Sequence, residues 1–264
     1  MPNRKFVFDF DSTLTSVEGL DVLAEISLRN NPDKDQVINK IQEITDLGID
    51  GDISFSDSLS SRISLLNANK SQLSELIDLL KTKLSQSVAD NKEFFTKYRD
   101  QIYVISCGFK EFIEPVVAEL NIDPKRIFAN TFEFDKDGFI IGFDKSNPLS
   151  KHDGKVSCLK SSGIQGEIQI IGDGYSDFVM RREGVADKFF AYTENVSRKK
   201  ATRSRFIKKR VKYVYADISK LDKLRSKLKK YKKIDFIINS GGEVDHKNKK
   251  KVFSSHFLGV KNLC

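Results

Sequence analysis

Two aspartates follow the first apolar run of the chain, in the stretch K-F-V-F-D-F-D-S-T-L-T at residues 5–15. The run at residues 6–8 predicts a buried strand, and Asp9 and Asp11 come where that strand should end. Carboxylates two residues apart point to the same side of an extended chain and repel each other unless a cation lies between them. The pair therefore indicates a metal or catalytic site, or else a turn in which aspartate acts as turn former and helix cap.

Other polar residues stand at the ends of other predicted elements. Ser106 closes the strand I-Y-V-I-S and precedes Cys107-Gly108, which predicts a tight turn into a helix. A hydroxyl and backbone N–H groups at a helix N-terminus can hold a phosphate, although such a serine is ordinarily an N-cap. Lys155 stands at the start of a further predicted helix, where a cation is unfavourable unless it faces an anion. Each feature has an ordinary structural explanation alone, but together they favour an anion-binding site.

These residue types suit phosphoryl transfer. The strand I-Q-I-I ends in G-D-G-Y-S-D, which brings Asp173 and Asp177 to the same edge as Asp9. Carboxylates at two strand ends are oxygen ligands of the kind that Mg²⁺ prefers, and the cation would offset the charge of a phosphate. One carboxylate could attack phosphorus to form an aspartyl-phosphate, while another protonates the leaving group and later activates water. Ser106 and Lys155 would hold the remaining phosphoryl oxygens.

The surrounding elements predict an α/β fold with a doubly wound parallel (Rossmann-like) sheet. Apolar residues at helical spacing predict four helices without a strand between residues 15 and 86. From residue 102 strands alternate with helices, and ligands bind such sheets at the carboxyl ends of the strands. The inserted helices would cover that edge as a cap. The predicted domains are a catalytic core of residues 1–14 and 87–217, a helical cap of residues 15–86, and a basic C-terminal extension of residues 218–264.

Composition narrows the class of protein. The 264 residues include no apolar stretch near the ~20 residues of a membrane span. No signal peptide is visible, because the first apolar run is interrupted by Asp9. Three widely spaced cysteines indicate a reducing compartment, so a cytoplasmic location is expected. The sequence lacks a P-loop, a cysteine-phosphatase loop and histidines at zinc-ligand spacing.

The net charge of +8 is unevenly distributed. Residues 195–264 hold 22 basic against 5 acidic residues, whereas the rest of the chain holds 23 basic against 32 acidic residues. The tail is predicted to add a strand at 211–215, a basic helix at 218–231 and a strand at 234–238. A basic module that binds nucleic acid or another polyanion is the alternative class of function. It is less favoured, because lysine-rich faces are usually solvated surface.

The motifs in chain order resemble those of a known family. F-D-F-D-S-T-L-T, V-I-S-C-G-F, the lysine region and I-I-G-D-G-Y-S-D are similar to the four motifs of the haloacid dehalogenase-like phosphatases. The cap segments V-E-G-L-D-V-L-A and G-I-D-G-D-I-S-F-S-D-S-L-S-S-R-I-S-L-L narrow the resemblance to the phosphoserine phosphatase family. The resemblance extends from residue 5 to about residue 197. It implies a Mg²⁺-dependent phosphatase that acts on a small phosphorylated metabolite, as a monomer or homodimer and without a membrane partner.

The resemblance also assigns roles to residues. Asp9 is implied to be the nucleophile and Asp11 the acid/base, with Asp11 also giving a backbone carbonyl to Mg²⁺. Asp173 is an implied metal ligand, and Asp177 supports the metal site. Glu18 and Arg62 are implied to bind the amino and carboxylate groups of phosphoserine. The remaining implied site residues are Ser106, Cys107, Gly108 and Lys155 for the phosphate, and Ile49 and Phe55 for the substrate.

Some positions depart from the family pattern. Cys107 replaces the usual small glycine after the motif serine, and Ser176 stands where the family often has asparagine. K-H-D-G-K-V offers both Lys151 and Lys155 as the phosphate-binding lysine, and Lys155 is favoured because it opens the predicted helix. A phosphatase for another small phosphomonoester, or a phosphotransferase that forms the same aspartyl-phosphate, stays open as an alternative.

Overall fold

The computed structural model describes residues 3–50, 52–195 and 237–238, and its centre is a parallel sheet. The strand order is β3-β2-β1-β6-β7-β8, and an antiparallel hairpin, β4-β5, stands apart from the sheet. The strands are β1 Arg4–Phe8, β2 Ile102–Phe109, β3 Ile127–Asn130, β4 Phe132–Phe134, β5 Ile140–Phe143, β6 Glu167–Gly172, β7 Lys188–Ala191 and β8 Ile237–Ile238. The helices are α1 Gly19–Ser27, α2 Lys34–Asp50, α3 Phe55–Leu66, α4 Lys70–Lys81, α5 Gln86–Ala89, α6 Lys92–Tyr98, α7 Lys110–Val117, α8 Gly154–Ser161 and α9 Tyr175–Arg182.

The first strand lies in the middle of the sheet, with β2 on one side and β6 on the other. Phe8 pairs with Val104 of β2 and Ile171 of β6, so the carboxyl ends of the three strands meet at one edge. Successive side chains of a strand point to opposite faces. Val7 accordingly packs in one core cluster and Phe8 in the other. The predicted doubly wound parallel sheet is confirmed.

The long connection between β1 and β2 is helical, as the apolar spacing predicts. It contains the four predicted helices, α1 to α4, and then the short helices α5 and α6, which the spacing did not predict. The chain leaves and re-enters the sheet region at one place, because Thr15 forms an antiparallel bridge with Leu84. The Ser16 N–H also donates to the Lys83 carbonyl at 2.8 Å. The division of the chain into core and cap stays a prediction.

The C-terminal predictions fall mainly outside the described residues. Of the strand predicted at 234–238, residues Ile237–Ile238 form β8 and pair in parallel with β7. The strand predicted at 211–215 and the helix predicted at 218–231 lie outside the described part of the chain. Within the described part, each helix is too short or too polar to cross a membrane.

Candidate active site

The carboxyl ends of β1, β2 and β6 open into a cavity of about 230 Å³ that the helical connection covers from the other side. Ten of the twelve predicted site residues line it. They are Asp9, Asp11, Glu18, Phe55, Arg62, Ser106, Cys107, Gly108, Lys155 and Asp173. Asp177 lies buried below the cavity, and Ile49 belongs to α2, although its side chain is outside the described residues. The name strand-end wall is used below for Asp9, Ser106, Lys155 and Asp173, and helical wall for Glu18, Asp21, Phe55 and Arg62.

Lys155 holds the strand-end wall together. Its Nζ lies 2.8 Å from Asp9 Oδ1 and 2.7 Å from Asp177 Oδ1, and the residue is only 4% exposed. The preceding Gly154 allows α8 to begin at this place, because a Cβ there would lie 2.4 Å from the Pro148 carbonyl oxygen. Lys151 is exposed and lies at the rim of the same cavity. Of the two candidate lysines, Lys155 is therefore the one that contacts the carboxylates.

Burial and charge act in opposite directions on this cluster. Burial raises the pKa of Asp177 to about 7, and the charge of Asp9 adds to this increase, while Lys155 opposes it. Burial alone would lower the pKa of Lys155, but Asp177 and Asp9 raise it well above its ordinary value. The lysine therefore remains an ammonium ion at neutral pH.

Three carboxylates surround a space that suits a cation. Oxygens of Asp9, Asp173 and Asp177 lie within 4.8 Å of one another. Thr13 Oγ1 donates to Asp173 Oδ1 at 3.4 Å, and the Gly174 N–H donates to Asp177 Oδ2 at 3.1 Å. The donors are all oxygen, which a hard divalent cation prefers, and Lys155 alone does not offset three negative charges. The residues present thus fit a metal ion such as Mg²⁺.

Asp11 takes a different direction from Asp9. The strand ends at Phe8, and the chain then forms an irregular turn, Phe10–Leu14, in which Ser12 has a φ of 55°. Asp11 Oδ1 accepts a hydrogen bond from the Gly19 N–H at 2.7 Å. The third carboxylate of the acidic cluster is therefore Asp177 and not Asp11, although the charge of Asp9 still acts on Asp11 and both residues line the cavity.

The surroundings of Asp11 favour its protonated form. Burial raises its pKa well above the ordinary value, and the charges of Glu18 and Asp9 raise it further, despite the opposing Gly19 N–H and Lys155. A carboxyl group whose pKa is raised in this way is suited to act as a general acid.

The strand β2 does not end at Ser106 with a tight turn, as predicted, but continues to Phe109, and its pairing with β3 is irregular between Ile105 and Phe109, where it borders the cavity. Ser106 is buried, and its Oγ accepts a hydrogen bond from the Gly108 N–H at 2.9 Å. Gly108 lies so close to Asp11 that an added Cβ would be 3.0 Å from Asp11 Oδ2. Burial raises the pKa of the Cys107 thiol to about 12, so this thiol is neutral and unsuited to act as a nucleophile.

The helical wall carries charges of both signs. Glu18 precedes α1 and accepts a hydrogen bond from Ser12 Oγ at 2.6 Å. Arg62, on α3, has a pKa that burial lowers and that the nearby charges of Asp21 and Glu18 raise. Within the described part of the chain its buried Nε has no hydrogen-bond partner.

Sequence reasoning missed some residues of the site. Asp21 lines the cavity three positions after Glu18, and helical spacing could have identified it, because residues three apart share a helix face. Thr13, which contacts Asp173, lies in a turn that gives no periodic signal. Ser176 also lines the cavity at the position where the sequence departs from the family pattern.

Comparisons with known proteins identify the family of the chain. A model of the family described as haloacid dehalogenase-like hydrolase matches residues 6–182. The chain is 30% identical over 194 residues to the human phosphoserine phosphatase, a match that covers 72% of this chain and 82% of that protein. The chain belongs to the haloacid dehalogenase-like hydrolases and, among them, to the phosphoserine phosphatase family.

Further relatives support the same grouping. The chloroplastic phosphoserine phosphatase of Arabidopsis thaliana is 31% identical over 70% of this chain, which covers 61% of the length of that protein. The crystal structure of a phosphoserine phosphohydrolase-like protein from Francisella tularensis has a TM-score of 0.65 and 33% identity, over 75% of this chain and 90% of that one. The predicted family is confirmed.

Proposed function

We propose that this protein hydrolyses O-phosphoserine to serine and inorganic phosphate. The observation that carries the proposal is the pairing of two unlike walls across one cavity of about 230 Å³. The strand-end wall offers a carboxylate nucleophile and groups for a phosphate, and the helical wall offers Arg62 for a carboxylate and Glu18 for an ammonium. The names of the human and Arabidopsis relatives support this choice of substrate.

Asp9 is the proposed nucleophile. Its Oδ1 is held by Lys155 Nζ and by the Phe10 N–H, both at 2.8 Å, which leaves its other oxygen to attack phosphorus. The new Asp9–phosphorus bond forms as the bond between phosphorus and the serine oxygen breaks. Asp11 gives its proton to that oxygen, so serine leaves as a neutral alcohol.

The second half of the reaction returns the site to its first state. Asp11, now ionised, takes a proton from water as the water oxygen attacks phosphorus. The bond between phosphorus and Asp9 breaks, which releases inorganic phosphate and regenerates both carboxyl groups. Ser106 and the N–H groups near Gly108 would stabilise the phosphoryl oxygens, together with the ammonium of Lys155.

A magnesium ion completes the proposed site. Asp9 and Asp173 would hold it, with Asp177 below them and the backbone carbonyl of Asp11 as a further ligand. When bound, Mg²⁺ offsets the negative charge of the phosphate and allows a carboxylate to approach it. Lys155 Nζ, 2.8 Å from Asp9 Oδ1, would hold the Asp9 carboxylate in place beside the ion.

The helical wall is proposed to select the substrate. A carboxylate in the cavity would provide the hydrogen-bond acceptor that the buried Nε of Arg62 lacks among the described residues. Glu18, fixed by Ser12, would pair with the ammonium group, and Phe55 would cover the short carbon skeleton between the two.

A substrate panel tests the proposal. Phosphate release is measured with Mg²⁺ on phosphoserine, on phosphoethanolamine, which lacks the carboxylate, and on phosphoglycerate, which lacks the ammonium. Because each charged contact contributes about 1.5–3 kcal/mol, kcat/KM for phosphoserine should exceed that for either analogue at least about tenfold. Equal values for the three compounds would contradict the assignment of phosphoserine. Transfer of the phosphoryl group to an added alcohol in place of water would favour a phosphotransferase.

A further inference from the structure

The side chain of Asn195, in the segment that follows β7, forms hydrogen bonds to the irregular turn Phe10–Leu14 and its neighbours. Asn195 Nδ2 donates to the Ser12 carbonyl at 3.1 Å, to the Thr15 carbonyl at 3.3 Å and to Ser85 Oγ at 2.7 Å. These acceptors belong to both chain segments that connect the sheet with the helical connection. One amide group therefore joins three parts of the molecule that are distant in sequence.

The groups that Asn195 contacts determine the shape of the turn. Ser12 adopts a φ of 55°, a left-handed conformation that serine keeps only when its surroundings hold it there. Ser85 Oγ donates to the Thr13 carbonyl at 2.6 Å, so it can accept the hydrogen bond from Asn195 at the same time. The carbonyls of residues 12, 13 and 15 thus all accept hydrogen bonds from the side chains of Ser85 or Asn195.

Asn195 is itself held in position by its neighbours. Tyr192 Oη donates to Glu194 Oε2 at 2.6 Å and lies 2.7 Å from Ser87 Oγ. Glu194 Oε1 accepts a hydrogen bond from the Ser87 N–H at 3.1 Å, near the start of α5. The segment Tyr192–Asn195 is therefore anchored to the point where the helical connection returns to the sheet.

We propose that Asn195 is a positioning residue for the active site. By holding the carbonyls of Ser12 and Thr15, it fixes the turn that carries Asp11. It also directs the Ser12 hydroxyl towards Glu18, whose carboxylate accepts that hydrogen bond at 2.6 Å. The effect on Glu18 rests on the proposed function, in which Glu18 binds the ammonium group of phosphoserine.

The test uses the full chain with Asn195→Ala and with Asn195→Asp, which keeps the shape of the side chain and removes its N–H donors. Asn91→Ala is the matched control, because Asn91 Nδ2 donates to the Ser87 carbonyl at 2.7 Å and does not contact the turn. The values of kcat and KM are measured on phosphoserine and on p-nitrophenyl phosphate, which has no ammonium group.

Both Asn195 variants should lower kcat on both substrates at least about tenfold, because Asp11 serves either one and a small misplacement costs much of the rate. They should also raise KM for phosphoserine at least about fivefold while KM for p-nitrophenyl phosphate changes less than about twofold, since only phosphoserine uses Glu18. Asn91→Ala should match the wild type. Loss of folded enzyme lowers apparent kcat and leaves KM unchanged. An unchanged KM for phosphoserine, or wild-type kinetics of Asn195→Asp, would therefore overturn the proposal.

A second measurement does not depend on the substrate. Hydrogen–deuterium exchange of peptides that span residues 10–19 should be faster in both Asn195 variants and unchanged in Asn91→Ala. If the wild type fails to hydrolyse phosphoserine, the proposed function fails, but this exchange measurement still tests how Asn195 holds the turn. Unchanged exchange at residues 10–19 would overturn the role of Asn195 while leaving the proposed function intact.

Discussion

The two walls of the cavity hold their charges in different ways. On the strand-end wall the charged groups contact one another directly, since Lys155 Nζ lies within 2.8 Å of both Asp9 and Asp177. On the helical wall Arg62 lies near acidic groups without forming an ion pair among the described residues, and its buried Nε has no acceptor there. The charged groups of the first wall already contact partners without a substrate, whereas the second wall has a donor, Arg62 Nε, to which a substrate could supply an acceptor.

The difference separates two tasks that one enzyme must perform. A nucleophile and its phosphate-binding groups work best when they are already in place, because catalysis then requires no reorganisation of charge. Specificity requires that a wrong ligand leave a buried polar group without a partner, which costs free energy. Substitutions on the strand-end wall should therefore affect every substrate, and substitutions on the helical wall should affect only substrates with the matching groups.

The largest effect is expected for Asp9→Asn. An amide does not attack phosphorus, so kcat should fall at least about a thousandfold on phosphoserine and p-nitrophenyl phosphate alike. Asp187→Asn is the matched control, because Asp187 accepts a hydrogen bond from the Ile168 N–H at 2.7 Å at the opposite edge of the sheet. Phosphate release is measured, with circular dichroism to check folding. Activity of Asp9→Asn within tenfold of the wild type would remove Asp9 as the nucleophile.

Removal of the metal is the next test of the strand-end wall. Chelation by EDTA should reduce phosphate release to background on every substrate, and excess Mg²⁺ should restore it. The reason is that the carboxylates of Asp9, Asp173 and Asp177 repel a phosphate unless a cation lies between the carboxylates and the phosphate. Ca²⁺ should substitute poorly, since its looser coordination misplaces the phosphoryl group. Asp173→Asn should weaken Mg²⁺ binding at least about tenfold in a titration, while Asp187→Asn should not. Full activity in metal-free buffer would rule out a metal-dependent mechanism.

Lys155 and Lys151, four residues apart, allow a test of which lysine acts in the site. Lys155→Met removes the cation between Asp9 and Asp177 and should lower kcat about a hundredfold or more. It should also reduce the free energy of unfolding by about 3–5 kcal/mol, because it leaves buried carboxylates without their partner. Lys151→Ala removes the same charge from the exposed rim and should change kcat less than about threefold. Phosphate release and thermal unfolding are measured for both, and a larger loss for Lys151→Ala would reverse the assignment.

The sequence predicts the parts of this site that depend on local pattern. Asp9, Ser106 and Asp173 were identified because each follows an apolar run, and the ends of parallel strands meet at one edge. The spacing argument for Asp11 assumes a chain that stays extended from Asp9 to Asp11, whereas the strand ends at Phe8 and an irregular turn begins at Phe10. The Asp11 carboxylate therefore accepts from the Gly19 N–H and lies outside the acidic cluster. Short helices such as α5, with four residues, are too brief to show an apolar stripe.

Contacts between distant elements are harder to predict. The ion pair of Lys155 with Asp177 depends on how α8 packs beside α9, and periodicity gives no information about such packing. Asn195 contacts Ser12 across 183 positions of the chain and lies in none of the recognisable motifs. The contact of Asn195 with the turn Phe10–Leu14 therefore becomes visible only in the three-dimensional structure.

The most selective effect is expected for Arg62→Ala on the helical wall. Phosphoserine would lose a charge-assisted contact in a partly desolvated site, so its kcat/KM should fall roughly tenfold to a thousandfold. p-Nitrophenyl phosphate has no carboxylate, and its kcat/KM should change less than about threefold, because Arg62 is not proposed to contact the phosphate. The two substrates are measured on the same preparation, so misfolding would appear as an equal loss on both.

Arg29→Ala controls for the loss of a positive charge from the same helical connection. Arg29 follows α1 on the surface, where it pairs with Glu75, and its removal should leave both substrates unaffected, because exposed ion pairs contribute little. If Arg62→Ala leaves phosphoserine hydrolysis intact, or lowers both substrates equally, Arg62 does not select the carboxylate. The two walls would then not divide chemistry from recognition. A selective loss with Arg62→Ala, beside a uniform loss with Lys155→Met, would support that division, because only the strand-end wall is proposed to contact the phosphate group that all substrates share.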